Sequence, residues 1–171
     1  MRGVGGFEIH LTVSAEADDE KLRSWAAGSG WKYTRILLDQ GLTADQPMLS
    51  LLTGGTAAEA EQVARHTAAE LWKSGFTVTR LKVEAAASSR ETPATGHLYF
   101  EHHVKLLLPA GSDLEQVRAV VGRHDARLSR NARRVRDDGV QERFVTQCCH
   151  HVGRAEADPV LLKASCSTPR R

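Results

Sequence analysis

The sequence predicts an α+β fold in which one β-α-β-β-α-β unit is written twice along 171 residues. Three observations predict it. A strand-like alternation carrying a Glu-x-His pair opens each half, a helix with its own capping signal follows each alternation, and a Ser/Thr/Pro/Gly-rich stretch separates the halves.

Phe7-Glu8-Ile9-His10-Leu11-Thr12-Val13 alternates strictly, so Phe7, Ile9, Leu11 and Val13 share one face of a half-buried strand and Glu8, His10 and Thr12 the other. Asp18 or Asp19 caps a helix with Leu22, Trp25 and Ala26 on one stripe, stopped by Gly28-Ser29-Gly30. Strands are expected at Trp31–Asp39 and Pro47–Leu52, joined by a turn over Gln40–Gln46. Thr56-Ala57-Ala58-Glu59 is a capping box opening a helix with Ala60, Val63, Ala64, Thr67 and Leu71 on its apolar face and Gly75 at its stop. Trp25 and Trp72 are expected in the core. Phe76–Ala85 completes an order that defines the ferredoxin-like unit, with two helices on one face of an antiparallel sheet.

After a linker over residues 87–97 the pattern restarts, which divides the chain into repeats at 1–86 and 98–171. Phe100-Glu101-His102-His103-Val104-Lys105-Leu106 answers the first strand at an offset of 93 (103 − 10). Ser112-Asp113-Leu114-Glu115 is again read as a capping box. Ser129-Arg130 answers Thr34-Arg35 at 95 (130 − 35), and Phe144-Val145-Thr146 answers Met48-Leu49-Ser50 at 96 (146 − 50). Asp158-Pro159 starts a helix through Leu162, but Ser165–Arg171 is no strand, so the second copy lacks an evident last strand. The second sheet then has three strands, or is completed by another chain, or ends at an altered C-terminus, and the exposed edge suits pairing in a homodimer.

No run approaches the roughly 18 apolar residues of a membrane span, and Met1–Gly6 has no apolar leader. A net charge of +2 is too mild to argue for nucleic acid, and the basic run Arg123–Arg136 reads as a solvated face. Cys148, Cys149 and Cys166 form no disulfide framework and fit a reducing compartment, which points to the cytoplasm.

The polar face of each opening strand carries the candidate chemistry: Glu8, His10 and Thr12 in one copy, Glu101, His103 and Lys105 in the other. Two histidines suit one proton taken and one given, so His10, His103, Glu8 and Glu101 are the expected catalytic groups. Thr12, Lys105, Arg35, Arg130, Ser129 and Thr34 are the expected binding groups for a small anionic, phosphate-bearing ligand between the copies. No cofactor is implied. No metal site is expected, Cys148 and His150 being weak candidates because alternation leaves too few ligands converging. Gly54-Gly55-Thr56 opens a helix N-terminus that suits an anion. The competing expectation is a non-catalytic regulatory or assembly module whose Glu-His pairs are structural.

His10-Leu11-Thr12-Val13 resembles the hydrophobic-His-hydrophobic-Thr/Ser-hydrophobic motif of the two-histidine (2H) phosphoesterases, bilobal enzymes that cleave cyclic phosphate esters. The resemblance implies a phosphoesterase-like acid/base hydrolase with one histidine per lobe. The second motif departs from it, since His103-Val104-Lys105-Leu106 has Lys in place of Thr or Ser. Glu101-His102-His103-Val104-Lys105 is similar to the Glu-x-Glu-x-Lys strand of triphosphate tunnel enzymes, with His for the second Glu. Tyr99–Lys105 and Leu128–Arg133 resemble an uncharacterised bacterial family of duplicated ferredoxin-like proteins, which implies no activity.

Overall fold

The computed structural model describes residues 6–37, 44–85, 99–132 and 134–150. They form an α+β protein of three helices and two antiparallel four-stranded sheets, in two compact units. The first unit takes its described residues from 6–36 and 45–85, and the second from 99–150 together with Leu37 and Ala44.

The first unit runs β1 (Phe7–Val13), α1 (Asp19–Ser29), β2 (Lys32–Leu37), β3 (Asp45–Thr53), α2 (Ala57–Lys73) and β4 (Val78–Ala85), in sheet order β2-β3-β1-β4. The alternation in β1 decides which face is covered. Phe7, Ile9, Leu11 and Val13 are fully buried with Leu49, Leu22 and Ala26 of α1, and Ala60, Ala64 and Leu71 of α2. Small residues on α2 let that helix approach the sheet closely, and each large side chain so buried stabilises the fold by about 1.5–3 kcal/mol.

Helix boundaries follow from local chemistry. Asp18 caps α1 by accepting from the Lys21 amide, and Gly30, at φ 74°, takes the left-handed turn that ends it. Trp31 is buried but donates its amide to Ala26 O at 2.9 Å, so it closes α1 and the strand starts one residue later than its pattern suggests. At α2 the capping box is complete, with Thr56 Oγ1 accepting from the Glu59 amide and Glu59 Oε2 accepting from the Thr56 amide. Gly55, at φ 105°, makes room for it, since a Cβ there would stand 2.5 Å from Glu59 Oε2. Thr56→Ala is expected to cost about 1 kcal/mol, read as a lower urea midpoint with an unchanged slope.

Trp72 corrects an expectation: it is 69% exposed. It follows the buried Leu71, and one residue of helix turns a side chain by about 100°, off the apolar stripe. Trp25 is half-buried and packs against the core.

The second unit runs β5 (Tyr99–Leu108), α3 (Leu114–Gly122), β6 (Ala126–Leu128), β7 (Arg134–Val135) and β8 (Gln141–His150). Its sheet is ordered β5-β8-β6, with β7 pairing β8. Asp113, not Ser112, caps α3: its carboxylate accepts from the Glu115 and Gln116 amides, while the Ser112 hydroxyl donates to Pro109 O at 2.8 Å. An ionised carboxylate favours the helix N-terminus more than a hydroxyl does. The buried apolar set here is small, comprising Val121, Ala126, Leu128 and Cys149 among the described residues. Among those residues β5 has β8 on one side and no strand on the other. Residues 40–43 of the turn expected over Gln40–Gln46, the linker at 87–97, and the segment 151–171 with its expected helix and missing last strand lie outside the described residues, while Asp45 and Gln46 already belong to β3 rather than to the turn. No helix among the described residues is long and apolar enough to cross a membrane.

Candidate functional site

In the first unit β1 lies between β3 and β4, so every polar side chain on its face away from the helices has two cross-strand neighbours. His10 stands opposite Ser50 on β3 and Lys82 on β4, and Glu8 stands opposite Leu52 and Glu84. His10 Nδ1 lies 3.0 Å from Ser50 Oγ, while Nε2 lies 3.4 Å from Glu84 Oε2 and 3.9 Å from Glu8 Oε1. A proton on Nε2 satisfies both sides, with the imidazole donating to carboxylate and the Ser50 hydroxyl donating to Nδ1. Burial works to raise the Glu84 carboxyl, but the His10 imidazole and the Lys82 ammonium, ion-paired with Oε1, outweigh it and hold the group below the usual carboxylate range.

The second unit repeats this geometry. His103 stands opposite Thr146, its Nδ1 3.0 Å from Thr146 Oγ1 and its Nε2 3.2 Å from Glu101 Oε2. Cys148 Sγ, opposite Glu101, donates to Oε1 at 3.5 Å. The imidazole also meets the Phe144 ring edge-on at 6.4 Å between centroids. In both units the carboxylate sits two residues before the histidine on one strand and the hydroxyl sits directly across on the next.

The other expected residues divide. Thr12 is buried on the His10 face, beside Arg80 and Met48. Lys105 shares the His103 face and sits 3.5 Å from Glu142. Arg136 foremost, with Lys105 adding to it, keeps that carboxyl below its usual range against the opposing effect of burial. Thr34 and Arg35 lie on β2, two strands from β1 and so about 10 Å away. Arg35 instead meets Asp45 at the start of β3 at 2.7 and 2.8 Å and Asp19 at the start of α1 at 3.1 Å, so its charge is already matched. Ser129 and Arg130 fall just past β6, which β8 separates from β5. The Ser129 hydroxyl ties the bend after β6 to β8 by accepting from the Phe144 amide and donating to Asn131 O, and Arg130 is exposed. His150 stacks on Tyr99, and neither it nor Cys148 joins a group of three convergent metal ligands among the described residues. The Thr56 amide at the Gly54-Gly55 turn is taken by Glu59, which leaves that turn less suited to an outside anion.

Sequence reasoning did not single out Ser50, Thr146 or Glu84. The hydroxyls could have been found, because the same repeat alignment that pairs His10 with His103 pairs Ser50 with Thr146. Glu84 could not, since nothing local to β4 fixes its register against β1. A scan of protein-family models matches none to this chain, and a search of curated proteins returns no significant relative.

Proposed function

We propose that the chain is a tandem duplication of a ferredoxin-like unit in which each copy carries a histidine for proton transfer with a small phosphate-bearing ligand. One observation carries this reading: the Glu-His-hydroxyl geometry occurs twice, with the imidazole 3.0 Å from Ser50 in one unit and from Thr146 in the other. An imidazole held between a carboxylate and a hydroxyl can take a proton on one nitrogen while its orientation is fixed by the other. The β-α-β-β-α-β order and the β2-β3-β1-β4 sheet of the first unit support the fold assignment. Cations stand beside each histidine, Lys82 and Arg80 on β4, and Lys105 with Arg127, the neighbour of Thr146 on β6. They are suited to a ligand of negative charge. The resemblance to two-histidine phosphoesterases agrees with one histidine per unit.

A second reading has its own observation. Ser50 is 8% exposed and Thr12 only 3%, as befits polar groups that satisfy one another inside a fold. In that case the protein is a regulatory or assembly module. The two readings separate in a thermal-shift screen against inorganic phosphate, nucleotides and cyclic phosphates, run on wild type and on His10→Ala/His103→Ala. A ligand that binds the native state alone raises the melting temperature. The expected result is a rise with one phosphate class in the wild type and none in the variant. No rise anywhere, with the variant destabilised by about 1–3 kcal/mol per site, would establish the module instead.

A further inference from the structure

His10 has a second carboxylate within reach, Glu84, contributed by β4. We infer that Glu8, His10 and Glu84 form a binding site for a divalent transition ion, Zn²⁺ or Mn²⁺, on the first unit. The inference goes beyond proton transfer. With the ion bound, His10 Nε2 is a ligand, so any proton transfer by His10 belongs to the ion-free protein.

Four features carry it. One imidazole nitrogen and two carboxylate oxygens lie within 4.8 Å of one another. Ligands about 2.1 Å from a tetrahedral zinc are about 3.4 Å apart, the distance between His10 Nε2 and Glu84 Oε2. Glu8 Oε1, at 3.9 Å from His10 Nε2, has to come closer to that nitrogen by about 0.5 Å, and its side chain is 44% exposed and able to move. Next, the outer contacts are those a metal ligand needs. Nδ1–H can turn to Ser50 Oγ, which fixes the ring with Nε2 toward the carboxylates, and Lys82 holds Glu84 Oε1 so that Oε2 stays presented. The charge also calls for a cation. Glu8 and Glu84 are directly opposed in register, an arrangement that is destabilising between like charges. Lys82 pairs with Glu84, while the Glu8 carboxylate meets only His10 among the described residues. Finally, a mixed imidazole and carboxylate set suits Zn²⁺ and Mn²⁺ better than Ca²⁺ or a soft ion.

The test is calorimetric titration of the metal-stripped full chain with Zn²⁺, paired with the visible spectrum of its Co²⁺ form. Glu84→Gln and His10→Asn, which keep side-chain shape, should each weaken binding at this site at least tenfold and bleach the Co²⁺ bands. Ser50→Ala should weaken it by roughly tenfold, and His66→Asn, at an exposed position on α2, should leave it unchanged. Circular dichroism of each variant guards against loss of fold, and Glu8→Gln supplies a further ligand removal at an exposed position. Equal Zn²⁺ affinity and stoichiometry in wild type, Glu84→Gln and His10→Asn would overturn the inference. So would a Co²⁺ spectrum dominated by a thiolate charge-transfer band that Cys148→Ser abolishes. A phosphate-induced rise in melting temperature, measured in chelator, reports on the proton-transfer reading alone and separates its failure from that of the metal site.

Discussion

Phe7→Ala is expected to destabilise the first unit by about 3–5 kcal/mol, whereas Trp72→Ala should stay within about 0.5 kcal/mol of wild type. Phe7 is fully buried at the start of the central strand, so truncation removes its transfer energy and leaves a cavity that the surrounding sheet and helices only partly fill. Trp72 is the larger side chain, yet at 69% exposed it has little contact to lose. For a domain of this size each kcal/mol moves the melting temperature by about 4–8 °C. Differential scanning calorimetry should therefore show a fall of more than 10 °C for Phe7→Ala and almost none for Trp72→Ala. Equal effects would mean that the helix α2 stripe has been assigned to the wrong face.

Arg35→Met should cost about 1–2 kcal/mol near neutral pH, a figure reduced for partial solvent exposure of the pairs. Arg35 joins Asp45 beside it to Asp19 on α1, and each of the three side chains is about one-third exposed. The Tyr33 hydroxyl foremost, then Arg23 and Arg35, hold the Asp19 carboxyl at about 2, while burial and that carboxylate push the Tyr33 phenol up to about 12. Arg35 likewise holds Asp45 below its ordinary value. A folded value below the unfolded one means that Asp19 stabilises the fold above about pH 4 and loses that contribution as pH falls through about 2. Removing Arg35 leaves two carboxylates without their shared cation. The difference between wild type and variant should be full at pH 7 and shrink by more than half near pH 2, where the Asp19 carboxyl of the folded wild type is already about half protonated. Urea melts at the two pH values read it directly, and a pH-independent difference would mean that Arg35 acts through its methylenes rather than its charge.

The parts of the fold legible in the sequence were those whose signals are local. Alternation in Phe7–Val13 fixes a buried face because the side-chain period of a strand is two, and Thr56 with Glu59 marks a helix start because both partners lie within one turn. The cap of α3 was missed by one residue since Ser112 and Asp113 both offer an oxygen, and their relative strength as caps decides. Trp72 was misjudged because hydrophobicity was weighed ahead of angular position on the helix. Of the candidate site, the Glu-x-His pairs were legible. The role of Arg35 was not, because its partners Asp19 and Asp45 lie on separate elements whose approach depends on how α1 packs over β2. Glu84 was illegible for the same reason, as its encounter with His10 rests on cross-strand register.

The small apolar set among the described residues of the second unit has a consequence for motion. Amide hydrogens exchange with solvent through openings whose free energy follows the contacts that must be broken. Strand β1, hydrogen-bonded on both edges and resting on Phe7, Ile9, Leu11 and Val13, should exchange only through global unfolding. Strand β6, three residues long and held mainly by Ala126 and Leu128, should exchange through a smaller, separate opening of its own unit. Deuterium uptake would then divide the protein into a slow half and a fast half. His10 sits in the slow half and His103 in the fast one, so two sites of the same local geometry are held with different rigidity.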